Sequence, residues 1–364
     1  MGRAIYVSSV NGDDANSGYA PEKAFRSLRK VNQMEIQPGD QILLERGSVF
    51  IGEYLHLYAG GTKEALVVVD AYGEGGLPRI ETDGNGIWYQ NYGGHLDNVV
   101  HTWKGYLSSA VLLYDAEYIS IRNLEITNNP CVKNERLNQA DRMNRTGVSV
   151  IAKNHGTLHE IELDHLYIHD VEGNIYDKHL NNGGIYMSVS RPDDEEKTGI
   201  ARYDGIHIHH CKVENCRRWG IAAGYTYQHD KFTTLELPDE VMKTYGSEHN
   251  FVKDIGGDGI TPMYCFEPLI QYNVSENIAV DIHPDLYNEE GNRGGMTAAA
   301  IWPWKCKTAL FQYNEVYNTV YNQDGQAWDA DSGDGTIYQY NYSCNNGGGC
   351  VMFCEGESVN NIFR

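Results

Sequence analysis

An eight-residue pattern of apolar and polar positions recurs at least six times along the chain. Each copy is rich in β-branched and aromatic residues and ends in Asn or Asp, which predicts a short strand followed by a turn. The copies start 42, 45, 62, 41 and 27 residues apart and span 121–128, 163–170, 208–215, 270–277, 311–318 and 338–345. Such self-similarity predicts a solenoid with loops of variable length. We therefore predict an all-β fold, a right-handed parallel β-helix whose copies stack within one sheet.

Two rows of this repeat indicate structural positions. The fourth position changes from apolar residues or Cys to asparagine at Asn273, Asn314 and Asn341. Equal positions in stacked coils lie about 4.8 Å apart, so these amides are close enough to form a ladder. The eighth position is always Asn or Asp, the residues that best tolerate a left-handed backbone at a turn.

The pattern also divides the chain. Residues 1–60 are predicted to form an N-terminal helical cap with the first strands, and 61–364 the parallel β-helix catalytic domain. The cap helix is predicted over 24–31, where Phe25, Leu28 and Val31 share one face and would cover the open edge of the first coil. Insertions at 129–147 and 225–250 are predicted to wall the site. The last coil is expected to be continued or covered by another chain, because residues 360–364 begin a further strand.

Charge and composition narrow the possible partners. The 364 residues carry a formal net charge of −21, which argues against nucleic acid and wide polyanion surfaces and favours a neutral or cation-assisted substrate. No apolar stretch of about 18 residues predicts a membrane-spanning helix. Localisation stays open: extracellular or cell-surface if a signal peptide has been removed, otherwise cytoplasmic. The eight cysteines contain no CxxC pair and are predicted to be mainly buried thiols.

The segment 321–335 carries the densest candidate chemistry. Asp324, Asp329, Asp331 and Asp334 place four carboxylates within eleven residues, so one should have a raised pKa, or they share a proton or a cation. A glycosidase needs one carboxylic acid to protonate the leaving oxygen and one carboxylate to attack or to activate water. Asp329 and Asp331 would share a face of an extended strand, with Asp324 approaching from a loop. A solvated turn or a calcium loop is the alternative.

Other residues are candidates for binding rather than catalysis. Trp302 and Trp304 offer indole faces for sugar stacking, with core packing as the alternative. Trp328 and Gln326 lie in the aspartate segment itself. Asp258 follows two glycines that permit an exposed corner, although a structural turn is favoured there. A zinc site needs three or four convergent ligands, so the alternating histidines are interpreted as an outward polar face and no metal site is predicted, the histidines being 155, 159, 165, 169, 207, 209 and 210.

Two segments resemble known proteins. The opening residues, from Tyr6-Val-Ser through Pro38-Gly-Asp, resemble the start of many bacterial right-handed β-helix carbohydrate enzymes with the pectin-lyase-like solenoid. The segment 324–331, followed by Ile-Tyr-Gln-Tyr-Asn-Tyr-Ser at 337–343, resembles glycoside hydrolase family 136, the lacto-N-biosidases. That family uses two aspartates seven positions apart in a retaining mechanism. The resemblance implies that Asp324 is the acid/base and Asp331 the nucleophile, with Asp329 in reserve.

The resemblance also implies a substrate and a partner. The expected reaction is release of a disaccharide such as lacto-N-biose from β-linked, host-type oligosaccharides, without a required cofactor. Family members can need a helical partner domain or a chaperone chain. A polysaccharide lyase using calcium and a base among Lys305, Lys307, Arg217 and Arg218 is the alternative enzyme. A carbohydrate-binding β-helix without activity is the non-enzymatic alternative.

Overall fold

The protein is a parallel β-helix. A computed structural model describes residues 2–96, 101–130, 143–229, 242–282, 297–354 and 358–364. Within these ranges the strands stack into long sheets in which neighbouring strands run parallel, apart from the antiparallel pair Ile87–Asn91 and Lys104–Tyr114. The chain passes from the first sheet to the second and then to the third before it starts the next coil. The predicted all-β, parallel architecture is confirmed.

The first sheet has the most strands of the described ranges. Its strands are Ala4–Val7, Gln41–Glu45, Val67–Tyr72, Ile119–Arg122, Thr157–Asp164, Arg202–His209, Met242–Glu248, Cys265–Phe266, Leu269–Gln271, Leu310–Gln312, Ile337–Gln339 and Ile362–Phe363. The second sheet follows it in each coil. Its strands are Val49–Ile51, Arg79–Glu81, Glu125–Asn128, Tyr167–Val171, Lys212–Cys216, Phe251–Ile255, Val274–Ile278, Glu315–Tyr317 and Tyr342–Cys344.

The third sheet carries the long loops. Its strands are Leu55–Leu57, Ile87–Asn91, Lys104–Tyr114, Asn144–Ala152, Gly183–Val189, Trp219–Thr226 and Asp258–Pro262. Single bridges from Ile260 to Ile301 and from Ile301 to Trp328 extend this sheet to the pair Trp328–Asp331 and Val351–Cys354. Several of its strands are buried at every position, so both faces of the sheet are covered. A sheet covered outside as well as inside can support a site beneath its loops.

The predicted eight-residue strand is really two strands joined at a corner. In the copy at 208–215, the strand Arg202–His209 ends, His210 adopts a φ of 54°, and Lys212–Cys216 begins in the second sheet. The third position has positive φ in the other five copies as well, between 49° and 57°. The prediction that each copy lies within one sheet is therefore wrong, because a left-handed residue turns the chain. The prediction of register is correct, since equal positions are partners in both sheets.

The amide ladder predicted at the fourth position of the repeat is present, inside the corner between the first and second sheets. Asn273 Nδ2 donates to Asn314 Oδ1 at 3.0 Å, and Asn314 Nδ2 donates to Asn341 Oδ1 at 3.1 Å. Asn250 extends the ladder with a 3.0 Å bond to Asn273 Oδ1, which identifies 247–254 as a further copy of the repeat. The eighth position has positive φ in the copies from Asp170 onward, as predicted for a left-handed turn residue.

Aromatic rings stack along the outside of the corner at the third position of each copy from 163–170 onward. We call this stack the outer ring column. Its neighbouring ring centroids lie 4.8, 5.3, 4.9, 5.1 and 5.4 Å apart, and its members are His165, His210, His249, Tyr272, Tyr313 and Tyr340. The rings are inclined by 2° to 19° to one another, so they lie nearly face to face.

The N-terminal segment contains less helix than predicted. An α-helix spans Leu28–Asn32 and buries Leu28 and Val31, after a 3₁₀-helix at Pro21–Lys23. Phe25 is not helical, because it forms a parallel bridge with Val7. Strands of all three sheets already occur before residue 60. The second α-helix described, Glu195–Thr198, is short and exposed, and none of the described helices is long and apolar enough to cross a membrane.

Candidate active site

The strand Trp328–Asp331 orients the densest group of carboxyls. Trp328 and Ala330 are 1% and 0% exposed and fill the coil interior, so alternation directs Asp329 and Asp331 to the outer face. Bridges place Trp302 level with Asp329 and pair Trp304 with Asp331 in the adjacent coil. The covered outer face of the third sheet therefore gathers two carboxyls and two indoles.

Asp324 reaches the same group from the loop before this strand. Its backbone N–H donates to Asn322 Oδ1 at 3.3 Å, and Gly325, with a φ of 96°, turns the chain back toward the strand. Burial raises the pKa of the Asp324 carboxyl, while the Lys178 charge and a hydrogen bond with Thr297 oppose that rise. Asp324 and Asp331 remain partly exposed, which leaves both carboxyls accessible to a ligand.

Asp329 lies beneath these two residues. It is 4% exposed, and its Oδ1 atom has no hydrogen-bond partner among the described residues. Burial, followed by the charges of Asp331 and Asp324, raises the pKa of Asp329 to about 8. The predicted raised pKa in this segment is therefore present, and its largest resolved effect falls on Asp329. At neutral pH this carboxyl holds a proton.

Lys178 supplies a cation to the group, and no motif in the sequence indicates it. Its Nζ donates to the Thr297 carbonyl at 3.2 Å and lies 3.9 Å from Asp258 Oδ2 and 5.2 Å from the centre of the Trp302 ring. Burial lowers the pKa of Lys178, whereas Asp258, Asp324 and Asp331 raise it. One amine thus interacts with carboxyls from separate loops and strands, so the acidic group is partly neutralised by the protein itself.

Asp258 belongs to the support of the site rather than to its surface. It is 0% exposed, and its Oδ2 atom accepts from Arg218 Nη2 at 2.7 Å. Its Oδ1 atom accepts from the Trp302 indole at 3.0 Å and from the Ala299 backbone at 3.1 Å. Direct substrate binding by Asp258 does not agree with this enclosure; the carboxylate instead fixes the Trp302 ring.

The tryptophans differ in what they can offer a sugar. Trp328 is enclosed in the core against Tyr338, at 5.7 Å between ring centroids, so the predicted contact of Trp328 with substrate does not fit its position. Trp302 is 5% exposed. Trp304 packs against Tyr225 at 5.5 Å and Tyr264 at 5.6 Å and is partly exposed, so it is the most accessible of these three tryptophans. Gln326 is 7% exposed and its Nε2 atom lies 3.6 Å from Met352 Sδ.

A wall of rings that the sequence analysis missed continues from Trp304. The Tyr225 ring lies 5.2 Å from the His179 ring, which stacks on His101 at 3.5 Å. Burial lowers the pKa of His179 well below its usual value, with further lowering by His101 and Lys178. A neutral imidazole at this position can exchange hydrogen bonds with hydroxyls. Of the insertions predicted to wall the site, 131–142 and 230–241 lie outside the described residues.

Three of the four basic residues proposed as the base of a lyase are engaged in other contacts. Arg218 is buried in its pair with Asp258, and Arg217 Nη2 lies 2.6 Å from Glu172 Oε2. Lys305 Nζ lies 5.8 Å from the centre of the Trp304 ring. An accessible base must reach the proton it removes. The lyase alternative is therefore not favoured.

Comparison with known proteins gives two informative matches. No protein-family model matches the chain. A lacto-N-biosidase of Bifidobacterium longum subsp. longum is 41% identical over 408 residues, which cover 100% of this chain and 25% of that protein. A crystal structure of a GH136 lacto-N-biosidase from Eubacterium ramulus is 54% identical with a TM-score of 0.95. The match covers 100% of this chain and 59% of the chain in that crystal structure.

The chain thus spans about a quarter of the first relative and 59% of the second. Within that span the agreement includes all described coils of this chain, because every residue of this chain is covered in both comparisons. The selenomethionine form of the second relative gives the same TM-score of 0.95. The resemblance predicted from the aspartate segment is confirmed: this chain is similar to lacto-N-biosidases along its whole length, and its described residues form a β-helix of the kind found in glycoside hydrolase family 136.

Proposed function

We propose that this chain is the catalytic β-helix of a retaining glycosidase that releases a disaccharide such as lacto-N-biose from β-linked oligosaccharides. The observation that carries the proposal is the convergence of Asp324 and Asp331, both partly exposed, on the charge of Lys178. Two accessible carboxyls match the needs of glycoside hydrolysis, and the partly exposed Trp304 indole lies beside them. Both named relatives are lacto-N-biosidases, which supports the choice of substrate.

The proposed mechanism assigns the two carboxyls different protonation. Protonated Asp324 gives its proton to the glycosidic oxygen as that bond breaks, and ionised Asp331 attacks the anomeric carbon to form a glycosyl-enzyme. Asp324 then takes a proton from water, which attacks the same carbon and releases Asp331. This double displacement retains the configuration and requires the carboxyl groups about 5–5.5 Å apart. The raised pKa of Asp324 favours its starting form as an acid.

Asparagine variants test this assignment. Asp324→Asn and Asp331→Asn should each lower kcat on lacto-N-tetraose at least about a thousandfold with folding intact, since each removes a group that the transition state needs. Asp334→Asn is the matched control, because Asp334 lies in the same segment and accepts a bond from Asn360 at 2.9 Å. Full turnover in either variant would refute the assignment, and loss in Asp329→Asn alone would transfer it to Asp329.

Lys178 is proposed as a positioning residue. Its charge opposes the rise in the pKa of Asp324 and of Asp329. Lys178→Met should therefore move the alkaline limb of the kcat/KM profile to higher pH, because Asp324 would keep its proton longer. Lys178→Arg should restore much of the original profile. A profile of unchanged shape in Lys178→Met would remove Lys178 from this role.

We propose further that hydrolysis needs no resident cofactor, because the carboxyls and Lys178 supply the charges that the reaction uses. Activity should persist after treatment with a chelator. Calcium is the alternative for this site, because the aspartates offer oxygen ligands. Loss of turnover in chelator with recovery in calcium would establish a requirement for calcium. A neutral oligosaccharide is the proposed partner, in keeping with the net charge of −21.

Two structural proposals accompany the enzymatic one. We infer that the coils wind right-handed and that the N-terminal segment caps the first coil, where Glu53 Oε2 accepts the Leu28 N–H at 2.6 Å. Leu28→Ala should then lower the midpoint of unfolding if the cap contributes to stability. We also propose a helical partner domain or chaperone chain, as the family resemblance implies. Co-expression that leaves the yield of folded chain unchanged would argue against such a partner.

A further inference from the structure

Three imidazoles converge on one carboxylate at the corner between the first and second sheets. Asp164 Oδ1 lies 2.6 Å from His165 Nδ1, 3.0 Å from His209 Nδ1 and 3.4 Å from His210 Nδ1. The Nδ1 atoms of His209 and His210 are 2.9 Å apart. Asp164 and His209 are register partners on adjacent strands, so coil stacking joins residues that are distant in sequence. The outward polar face inferred from the sequence thus contains a compact cluster.

We propose that this corner binds a divalent transition-metal ion such as Zn²⁺ through Asp164, His165, His209 and His210. Imidazole nitrogen with one carboxylate oxygen is a ligand set that suits zinc, nickel, cobalt and copper, whereas calcium and magnesium prefer oxygen alone. The site would join two successive coils. It lies at a corner away from the covered outer face of the third sheet and is independent of the proposed hydrolysis.

The spacing of the ligand atoms is close to that of a bound ion. Zn–N and Zn–O bonds of about 2.0–2.2 Å in a tetrahedron put ligand atoms about 3.3–3.5 Å apart. The distances from Asp164 Oδ1 to the three Nδ1 atoms, from 2.6 to 3.4 Å, need to widen by up to about 0.9 Å. The ligand atoms of Asp164, His165 and His210 all lie within 4.8 Å of one another. The His165 and His210 rings are stacked, so each must turn toward a shared ion. Their side chains are 58% and 47% exposed, which leaves room for that rotation.

A second layer of hydrogen bonds supports His209. Its Nε2 atom lies 3.2 Å from Glu162 Oε1, and Ser120 Oγ donates to Glu162 Oε2 at 2.6 Å. A carboxylate that accepts from the far nitrogen of a histidine fixes the ring and its tautomer and leaves Nδ1 free to bind metal. This arrangement is an observation separate from the convergence on Asp164, and it supports the same conclusion.

Titration of the full chain with ZnCl₂ tests the proposal. After dialysis against a chelator, calorimetry at about pH 7.5 should give one strong site per chain. His165→Ala and Asp164→Asn should each weaken binding at least about tenfold. His207→Ala is the matched control, because His207 is an exposed histidine of the same strand that faces Glu160 at 3.9 Å.

Two results would overturn the proposal. One is zinc binding by the double variant His165→Ala/His210→Ala that equals binding by the unmodified chain, which would place the ion elsewhere. The other is the absence of binding by the unmodified chain at about 100 μM zinc, a concentration at which even a modest site fills. Thermal unfolding of each variant without metal checks that the corner remains folded, and a zinc-dependent rise in Tm only where binding is measured would support the site independently.

Discussion

At the scale of single residues, protonation of Asp329 changes how charge is divided in the site. A neutral Asp329 removes one negative charge from beside Asp331 and Asp324. In the proposed mechanism, Asp331 then stays ionised next to the acid Asp324 at a lower electrostatic cost than three carboxylates would impose. The role proposed for Asp329 is therefore to support the other two carboxyls without contacting the substrate.

The buried carboxyl should leave a trace in the pH dependence of stability. Its folded pKa of about 8 exceeds the unfolded value of about 3.9, so between these values the folded state holds a proton that the unfolded state has released. Stability from this group is full below about pH 4 and is lost as pH rises through about 8. Asp329→Asn cannot titrate and should melt on the order of 5 °C higher than the unmodified chain at about pH 9.

That difference in Tm should shrink as pH falls toward about 5, because the folded unmodified chain and the folded Asp329→Asn variant both carry a neutral side chain at position 329 there. Differential scanning calorimetry across the pH range provides the measurement. Asp334→Asn controls for the simple loss of a charge at a partly exposed position. A Tm difference between Asp329→Asn and the unmodified chain that does not vary with pH would contradict a buried, protonated Asp329.

The sequence could indicate Asp324, Asp331 and Asp329, because four carboxyls within one short segment form an unusually dense group. It could not indicate Lys178, whose neighbours in sequence carry no motif and whose partners come from three distant segments. Nor could the sequence predict that Trp304 is partly exposed and Trp328 buried, because only the three-dimensional packing decides this difference.

At the scale of elements, the corner explains what was predicted and what was not. Periodicity identified the repeats and their register, because apolar side chains must alternate toward the interior. The bend was missed because tyrosine, a bulky residue that seldom adopts positive φ, occupies the left-handed position at Tyr272, Tyr313 and Tyr340. The copy at 247–254 was missed because its first position is Ser247, whereas each of the six predicted copies begins with an aliphatic or aromatic residue.

The amide ladder should contribute measurably to stability. Asn314 Oδ1 accepts from Asn273 through both the backbone and the side chain, and Asn314 Nδ2 donates to Ile270 and Asn341. Asn314→Ala leaves these buried groups unsatisfied and should lower the free energy of unfolding by about 2–4 kcal/mol. Urea denaturation followed by circular dichroism measures the change.

An outer ladder of glutamines offers a control for the inner one. Gln312 Nε2 donates to Gln271 at 2.8 Å, and Gln312 Oε1 accepts from Gln339 at 2.9 Å, but these amides are partly exposed. Water can replace their bonds, so Gln312→Ala should cost less than about 1 kcal/mol. Equal losses in the two variants would show that enclosure of the asparagine ladder adds nothing.

At the scale of the whole molecule, the net charge of −21 bears on the substrate. A neutral oligosaccharide is not steered by this field, so kcat/KM on lacto-N-tetraose should change less than about twofold between about 20 mM and about 300 mM salt. An anionic substrate would be repelled at low salt and turned over faster as salt screens the repulsion. Steady-state rates on the neutral and a sialylated tetrasaccharide, measured in parallel, distinguish these cases.

The outer ring column should give the corner of the solenoid a spectroscopic signal of its own. Nearly parallel phenol and imidazole rings about 5 Å apart couple their electronic transitions, and the twist from coil to coil makes that coupling chiral. The tyrosine end of the column, Tyr272, Tyr313 and Tyr340, would contribute an exciton signal that disappears when those coils separate. Fraying from that end would therefore change the near-ultraviolet signal of the column, to which the imidazoles of His165, His210 and His249 do not contribute.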